Sequence, residues 1–146
     1  MKIEDIYKEW SKDQEIKIEQ LTRETTQIPY LHNKYYNMYI EEGLRLKKMR
    51  IDLKKLRYDR YNWYLGDDIS KETITSYGWK PAPDKTYRKQ EALDVVEVDQ
   101  IIIEETLRVY VQEEKVKYLE NIIKMIGNRG FQIKSIIDWE KFTAGA

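Results

Sequence analysis

Apolar positions along this chain fall into blocks with helical rather than alternating spacing. Ile3, Ile6, Tyr7 and Trp10 stand at i, i+3, i+4 and i+7, the stripe of a short amphipathic helix, which polar residues 11–14 should end. Residues 16–27 form a second, weaker helical stretch carried by Ile18 and Leu21. Pro29 suits a first helical turn, where its missing N–H costs nothing. From there to Leu65 only Gly43 interrupts, so a helix of about 55 Å is expected at about 1.5 Å per residue. Tyr35, Tyr39, Glu42, Leu46, Met49, Leu53, Leu56, Arg60 and Trp63 alternate four and three apart along it, and seven of these nine are apolar. Sustained spacing of this kind means a seam that packs on another helix. Leu44, Ile51 and Tyr58 lie off the seam.

Gly66 is placed to end the long helix in a left-handed conformation. Ser70 can cap a short helix that stops at Gly78, and the Trp79–Pro83 run is extended because a residue before proline avoids the α region. Leu93, Val95 and Val96 leave residues 86–98 open between a short strand and a poor helix. A second long helix follows from Asp99 to about Met125, with Ile102, Val109, Val116, Leu119, Ile123 and Ile126 on its seam and Glu105 and Gln112 as polar interruptions. Gly127 and Gly130 should kink it before a last apolar helical face. The fold class expected is all-α: a long antiparallel helical hairpin with short flanking helices. Residues 1–98 and 99–146 form its two parts within one continuous unit. A hairpin buries little by itself, so its uncovered apolar face favours self-association.

Composition sharpens this picture in two ways. The 146 residues hold no cysteine, which excludes disulfides, thiolate zinc sites and cysteine nucleophiles. Residues Met1–Asp5 lack the apolar stretch of a signal peptide and no window is apolar enough to span a bilayer, so a soluble, cytoplasmic protein is expected. Net charge is zero, with 26 basic and 26 acidic side chains, but the charge is unevenly spread. Between Arg45 and Arg60 stand eight basic residues (Arg45, Lys47, Lys48, Arg50, Lys54, Lys55, Arg57 and Arg60) against two acidic ones. Between Glu97 and Met125 there are seven acidic and four basic residues. A neutral molecule can thus carry a local electropositive surface.

Beside the basic segment stand Tyr58, Tyr61, Trp63 and Tyr64. Lysine and arginine neutralise phosphates, and aromatic faces stack unpaired bases, so the combination favours single-stranded over duplex nucleic acid. The bland alternative is a solvated coiled-coil face balanced by the acidic second helix, with tyrosines as packing residues. That alternative makes the protein a structural or adaptor coiled-coil oligomer without nucleic-acid affinity. A duplex-binding architectural protein is disfavoured by the aromatic cluster. Nothing supports catalysis. His32 is the lone histidine, without a nucleophile or metal cluster beside it. Asp67 and Asp68 read as a solvated turn, no phosphate-cradling Gly-x-x-x-x-Gly-Lys occurs, and residues 127–130 are better read as a kink than as a glycine clamp. No cofactor or metal is expected.

Ile3-Glu4-Asp5-Ile6 with Trp10, Ile28-Pro29-Tyr30-Leu31-His32-Asn33-Lys34-Tyr35, Trp63-Tyr64-Leu65-Gly66, Gly78-Trp79-Lys80-Pro81, Arg129-Gly130-Phe131-Gln132-Ile133-Lys134, Trp139-Glu140-Lys141-Phe142 and Ala144-Gly145 follow one another in an order that resembles the UvsY family of recombination mediators from T-even-like bacteriophages. The resemblance implies a non-enzymatic protein that binds single-stranded DNA as a ring-like homo-oligomer, with a heptamer as the candidate assembly. It implies contacts with a phage single-strand-binding protein and a phage RecA-like recombinase, exchange of the first for the second in recombination, repair and recombination-dependent replication, and action in the cytoplasm of the infected host. It also places oligomerisation in the C-terminal part, here Ile123, Ile126, Phe131, Ile133, Ile136, Ile137, Trp139 and Phe142. The family's DNA-contact motif has basic residues six and eight positions before the turn glycine. Arg60 matches the first, Tyr58 departs from the second, and Arg57 lies about 100° around the helix from Tyr58. The DNA-binding candidates are Lys47, Lys48, Arg50, Lys54, Lys55, Arg57, Arg60, Tyr58, Tyr61 and Tyr64.

Overall fold

The computed structural model describes residues 1–145, and every regular element among them is helical. The α-helices are α1 (Ile3–Asp13), α2 (Leu21–Leu65), α3 (Lys71–Tyr77), α4 (Lys89–Glu97), α5 (Gln100–Gly127) and α6 (Arg129–Thr143), with one 3-10 turn at Ile18–Gln20. The chain divides into two compact units: residues 1–44 with the segment from 113 onward, and residues 45–112. This division does not follow a boundary at residue 98, because α2 and α5 each contribute to both units. All nine positions of the α2 seam are buried or half-buried, while Leu44, Ile51 and Tyr58 are exposed.

In the first unit, Ile6 and Trp10 from α1, Tyr35 from α2, and Leu119, Ile122 and Ile126 from α5 form the core. Chain order reverses between α2 and α5, since Glu42 meets Lys115 of α5 whereas Glu24, earlier in α2, meets Arg129 just past the end of α5. The two helices are therefore antiparallel here. α2 begins at Leu21 rather than at Pro29, which lies inside it. An interior proline forfeits a backbone hydrogen bond and costs about 3 kcal/mol. Ile28 and Leu31, flanking Pro29, pack against the core, and their burial offsets that cost.

Polar groups in this unit are paired rather than excluded. Tyr35 donates its hydroxyl proton to Asp13 at 2.8 Å, and Lys34 donates to both Glu9 and Asp13. Arg129 has a side chain only 4% exposed. It reaches the Glu24 carboxylate at 3.0 Å and the carbonyls of Gln14 and Glu15. The break between α5 and α6 is thus the point where an arginine is turned inward to hold the α1–α2 connection. Arg129→Ala leaves Glu24 half of a buried pair, and we expect a loss of about 3 kcal/mol in urea unfolding. A change below about 0.5 kcal/mol would contradict this role.

In the second unit, Trp63, Tyr64, Ala92 and Val96 are buried together, surrounded by Tyr61, Leu65, Ile74, Trp79 and Tyr87. Residues 86–98, open between strand and helix on sequence, contain α4. Ala92 and Val96 fall four apart on its buried face, so packing on Trp63 and Tyr64 outweighs the strand preference of Val95 and Val96. Gly66, at φ +70°, closes α2 with Asp67 N–H donating to the Asn62 carbonyl and its own N–H to that of Trp63. That is the six-to-one and five-to-two pairing of a Schellman cap. Ser70 accepts from Thr73 N–H at 3.1 Å and starts α3. The Trp63 indole N–H donates to the Lys80 carbonyl at 2.8 Å, tying the proline-rich connector to α2.

Candidate nucleic-acid interface

The basic part of α2 lies in the second unit. At about 100° per residue, Lys47 and Lys54 fall on one side of a line through Ile51 and Tyr58, and Lys48 and Lys55 on the other. The four lysines therefore share one arc of about 120°, narrower than the basic segment as a whole. Ile51 is 68% exposed and Tyr58 59% exposed. Lys47, Lys54 and Lys55 are exposed and, among the described residues, form no ion pair. Lys48 pairs with Asp52 at 2.7 Å, but both side chains are largely solvated, so the pair is worth little and yields readily to a phosphate. Arg45 and Arg50 are exposed beside this face. Arg57 is half-buried, 3.6 Å from Glu97.

Arg60 is placed differently from the expected phosphate contact. Its side chain is 12% exposed and its Nε donates to Asp99 at 3.0 Å. The guanidinium carbon lies 3.9 Å from the Trp63 ring centre, 4.7 Å from Trp79 and 5.1 Å from Tyr64. Its charge is already neutralised by a buried carboxylate and three aromatic faces. Tyr64, expected as a stacking surface, is buried instead and donates its hydroxyl proton to the same Asp99. Tyr61 is half-buried against the same core. Of the candidate aromatics on α2, Tyr58 is left as the exposed one.

Asp99 organises this cluster. Its second oxygen accepts from Ile101 N–H at 2.9 Å, so it also caps α5. Burial pushes the Asp99 carboxyl up. Hydrogen bonds from Tyr64 and Arg60, the Arg60 charge and the Ile101 N–H together hold it below its ordinary value. The Tyr64 phenol is pushed up to about 12 by burial and by its bond to Asp99. Sequence reasoning missed Asp99. The signal was an aspartate two residues before Ile101, at the start of the second apolar seam.

It also missed Tyr77 and Trp79, whose rings stack at 4.2 Å and 11° in the second unit. The Tyr77 hydroxyl donates to Asp59 of α2 at 2.7 Å.

The proposed oligomerisation residues separate into two groups. Ile126 and Ile133 are buried within the first unit, and Ile123, Ile136 and Ile137 are half-buried. Phe131, Trp139 and Phe142 are 65–73% exposed, and the last two stack at 5.8 Å. The apolar surface offered by α6 is thus narrower than the eight residues named. His32 stacks on Tyr36. Among the described residues, no three His, Cys, Asp or Glu side chains gather as a metal site, and no helix is long and apolar enough to cross a membrane.

An all-helical protein with a solvated lysine face along one helix presents a surface of the kind that meets polyanions. Residues 9–146 match the family of recombination, repair and single-stranded-DNA-binding proteins UvsY, and the chain belongs to that family. Its fold is similar to crystal structures of the bacteriophage T4 recombination mediator protein UvsY. In one lattice the match has a TM-score of 0.80 at 21% identity, covering 97% of this chain and 99% of that one. In a second it has a TM-score of 0.77 at 23% identity, covering 99% of each. No protein of curated function matches the sequence.

Proposed function

We propose that this protein is a recombination mediator. It binds single-stranded DNA through the lysine face of α2, and it promotes replacement of a single-strand-binding protein by a RecA-like recombinase in an infected bacterial cell. The observation that carries this reading is the arc of Lys47, Lys48, Lys54 and Lys55 around exposed Ile51 and Tyr58. Lysines spaced along one face follow a phosphate backbone, and Tyr58 offers a ring to an unpaired base. Family membership supports the same reading.

The protein acts by binding and not by catalysis. Its buried titratable groups are engaged in fixed pairs such as Arg60–Asp99 and Lys115–Glu42. A homo-oligomer, ring-like in this reading, repeats the lysine face, so weak contacts gain avidity on one strand. The strand, held along these faces, is bound less well by the competing single-strand-binding protein, and recombinase assembles on it. The expected result is faster recombinase filament assembly on an oligonucleotide precoated with single-strand-binding protein. Unchanged assembly, with DNA bound by both proteins, would refute the mediator role.

Self-association in this reading uses the exposed rings of α6. Trp139→Ala with Phe142→Ala should reduce the mass measured by sedimentation equilibrium while leaving helix content unchanged. An unaltered mass would remove this face from the assembly.

A further inference from the structure

The second unit carries a cavity that the lysine face does not account for. It has a volume of about 640 Å³ and is lined by Asp52, Lys55 and Leu56 of α2, Tyr77 and Trp79 beyond it, and Glu105 of α5, among others. That volume is in the range of small-molecule sites. Lys55 belongs both to this lining and to the lysine face, so the cavity borders the path on which phosphates would lie. The geometry points to a nucleobase site: one base of a bound single strand leaves the α2 face, stacks against the Tyr77–Trp79 pair, and offers its exocyclic amine to Asp52 and Glu105. The inference rests on the single-stranded DNA reading above and adds base selectivity to it.

Three observations converge. Tyr77 and Trp79 are already parallel, at 4.2 Å and 11°, and Trp79 also lies 4.7 Å from the Arg60 guanidinium. The pair is held in place, because the Tyr77 hydroxyl donates to Asp59, so a base would extend a preformed stack at small ordering cost. The charges are mixed in a way that suits a nucleotide. Lys55 is exposed, without an ion pair among the described residues, and is free to meet a phosphate. Asp52 and Glu105 bond to Lys48 and Arg108, but a carboxylate has about four acceptor positions and each retains some.

Acceptors alone distinguish the pyrimidines. Cytosine has an N4 amine that donates to Asp or Glu. Thymine has a carbonyl oxygen at that position, which two carboxylates would repel. The site should therefore favour cytosine over thymine, while the phosphate contacts remain indifferent to sequence.

The test is competition by unlabelled oligodeoxycytidine and oligodeoxythymidine of equal length against a labelled strand, using the full-length protein. Wild type should bind the cytidine strand about fivefold more tightly, a discrimination below that of a fully buried charged hydrogen bond because the site is open. Asp52→Ala with Glu105→Ala, which leaves no side-chain acceptor where an amide would keep its carbonyl oxygen, should abolish the preference. Tyr77→Ala should weaken both, whereas Tyr77→Phe, which keeps the ring but loses the Asp59 bond that holds it, should weaken both by less and keep the preference. Equal affinity of wild type for the two strands overturns the inference alone, as does a preference that survives loss of both carboxylates. Failure of folded wild type to bind either strand overturns the DNA-binding reading and this site with it. Should Tyr77→Ala lose helix content, the carboxylate pair decides the matter.

Discussion

Asp99→Ala is expected to destabilise the protein by about 3–5 kcal/mol, the usual consequence of leaving one half of a buried ion pair. Asp99 has a side chain 4% exposed and Arg60 one 12% exposed. Removing the carboxylate strands the guanidinium among Trp63, Trp79 and Tyr64, leaves the Tyr64 hydroxyl without its acceptor, and takes away the cap of α5. Urea unfolding followed by circular dichroism should show a lower midpoint, and near-ultraviolet signals from the tryptophans should weaken. A loss below about 1 kcal/mol would mean that Arg60 finds solvent instead.

The same carboxyl predicts a pH dependence. Its folded-state pKa is depressed, so the unfolded chain takes up the proton first as pH falls. The stabilisation is complete above the ordinary carboxylate value and is lost as pH drops through the folded one. Asp99→Asn should lower stability at neutral pH and make the acid limb of the stability curve shallower. An acid limb as steep as that of wild type would assign the loss to other carboxylates.

The second large effect concerns DNA. Replacing Lys47, Lys48, Lys54 and Lys55 together by alanine should weaken single-strand binding by at least about a hundredfold near 0.15 M salt. It should also reduce the slope of log K against log salt by about three, if each lysine meets one phosphate. These side chains are exposed, so helix content and melting temperature should change little. Fluorescence anisotropy with labelled oligothymidine over a range of salt concentrations measures both quantities. Wild-type slope and affinity in the variant would displace the DNA surface from this face. The variant is a cleaner test than Arg60→Ala, which would also loosen the aromatic cluster and so lower binding indirectly.

The heptad-like spacing of α2 and α5, the Schellman turn at Gly66 and the Ser70 cap were legible because each is a local rule. A seam needs only periodicity, and a left-handed turn needs only a residue without a Cβ. Residues 86–98 were not legible. Val95 and Val96 favour a strand on their own, and only the surface of Trp63 and Tyr64 makes a helix there worth forming. Pro29 was misplaced for a similar reason, since its local preference for a first turn yields to the packing of Ile28 and Leu31.

The candidate site divides along the same line. Charge density on α2 is a property of sequence, and so is the alternation that leaves Ile51 and Tyr58 off the seam. The fate of each charge is not. Arg60 and Lys55 are both cations on one helix, yet one is turned into a carboxylate and three rings while the other stays in water. What separates them is the company brought by residues 79 and 99, far along the chain. A helical protein with a basic, aromatic-flanked helix and an apolar tail can be read along the chain, because helical period and charge are written locally. Which cations remain available, which aromatics are core and which two rings stack beside a cavity follow from packing alone, because burial and pairing depend on contacts between residues that no local pattern connects.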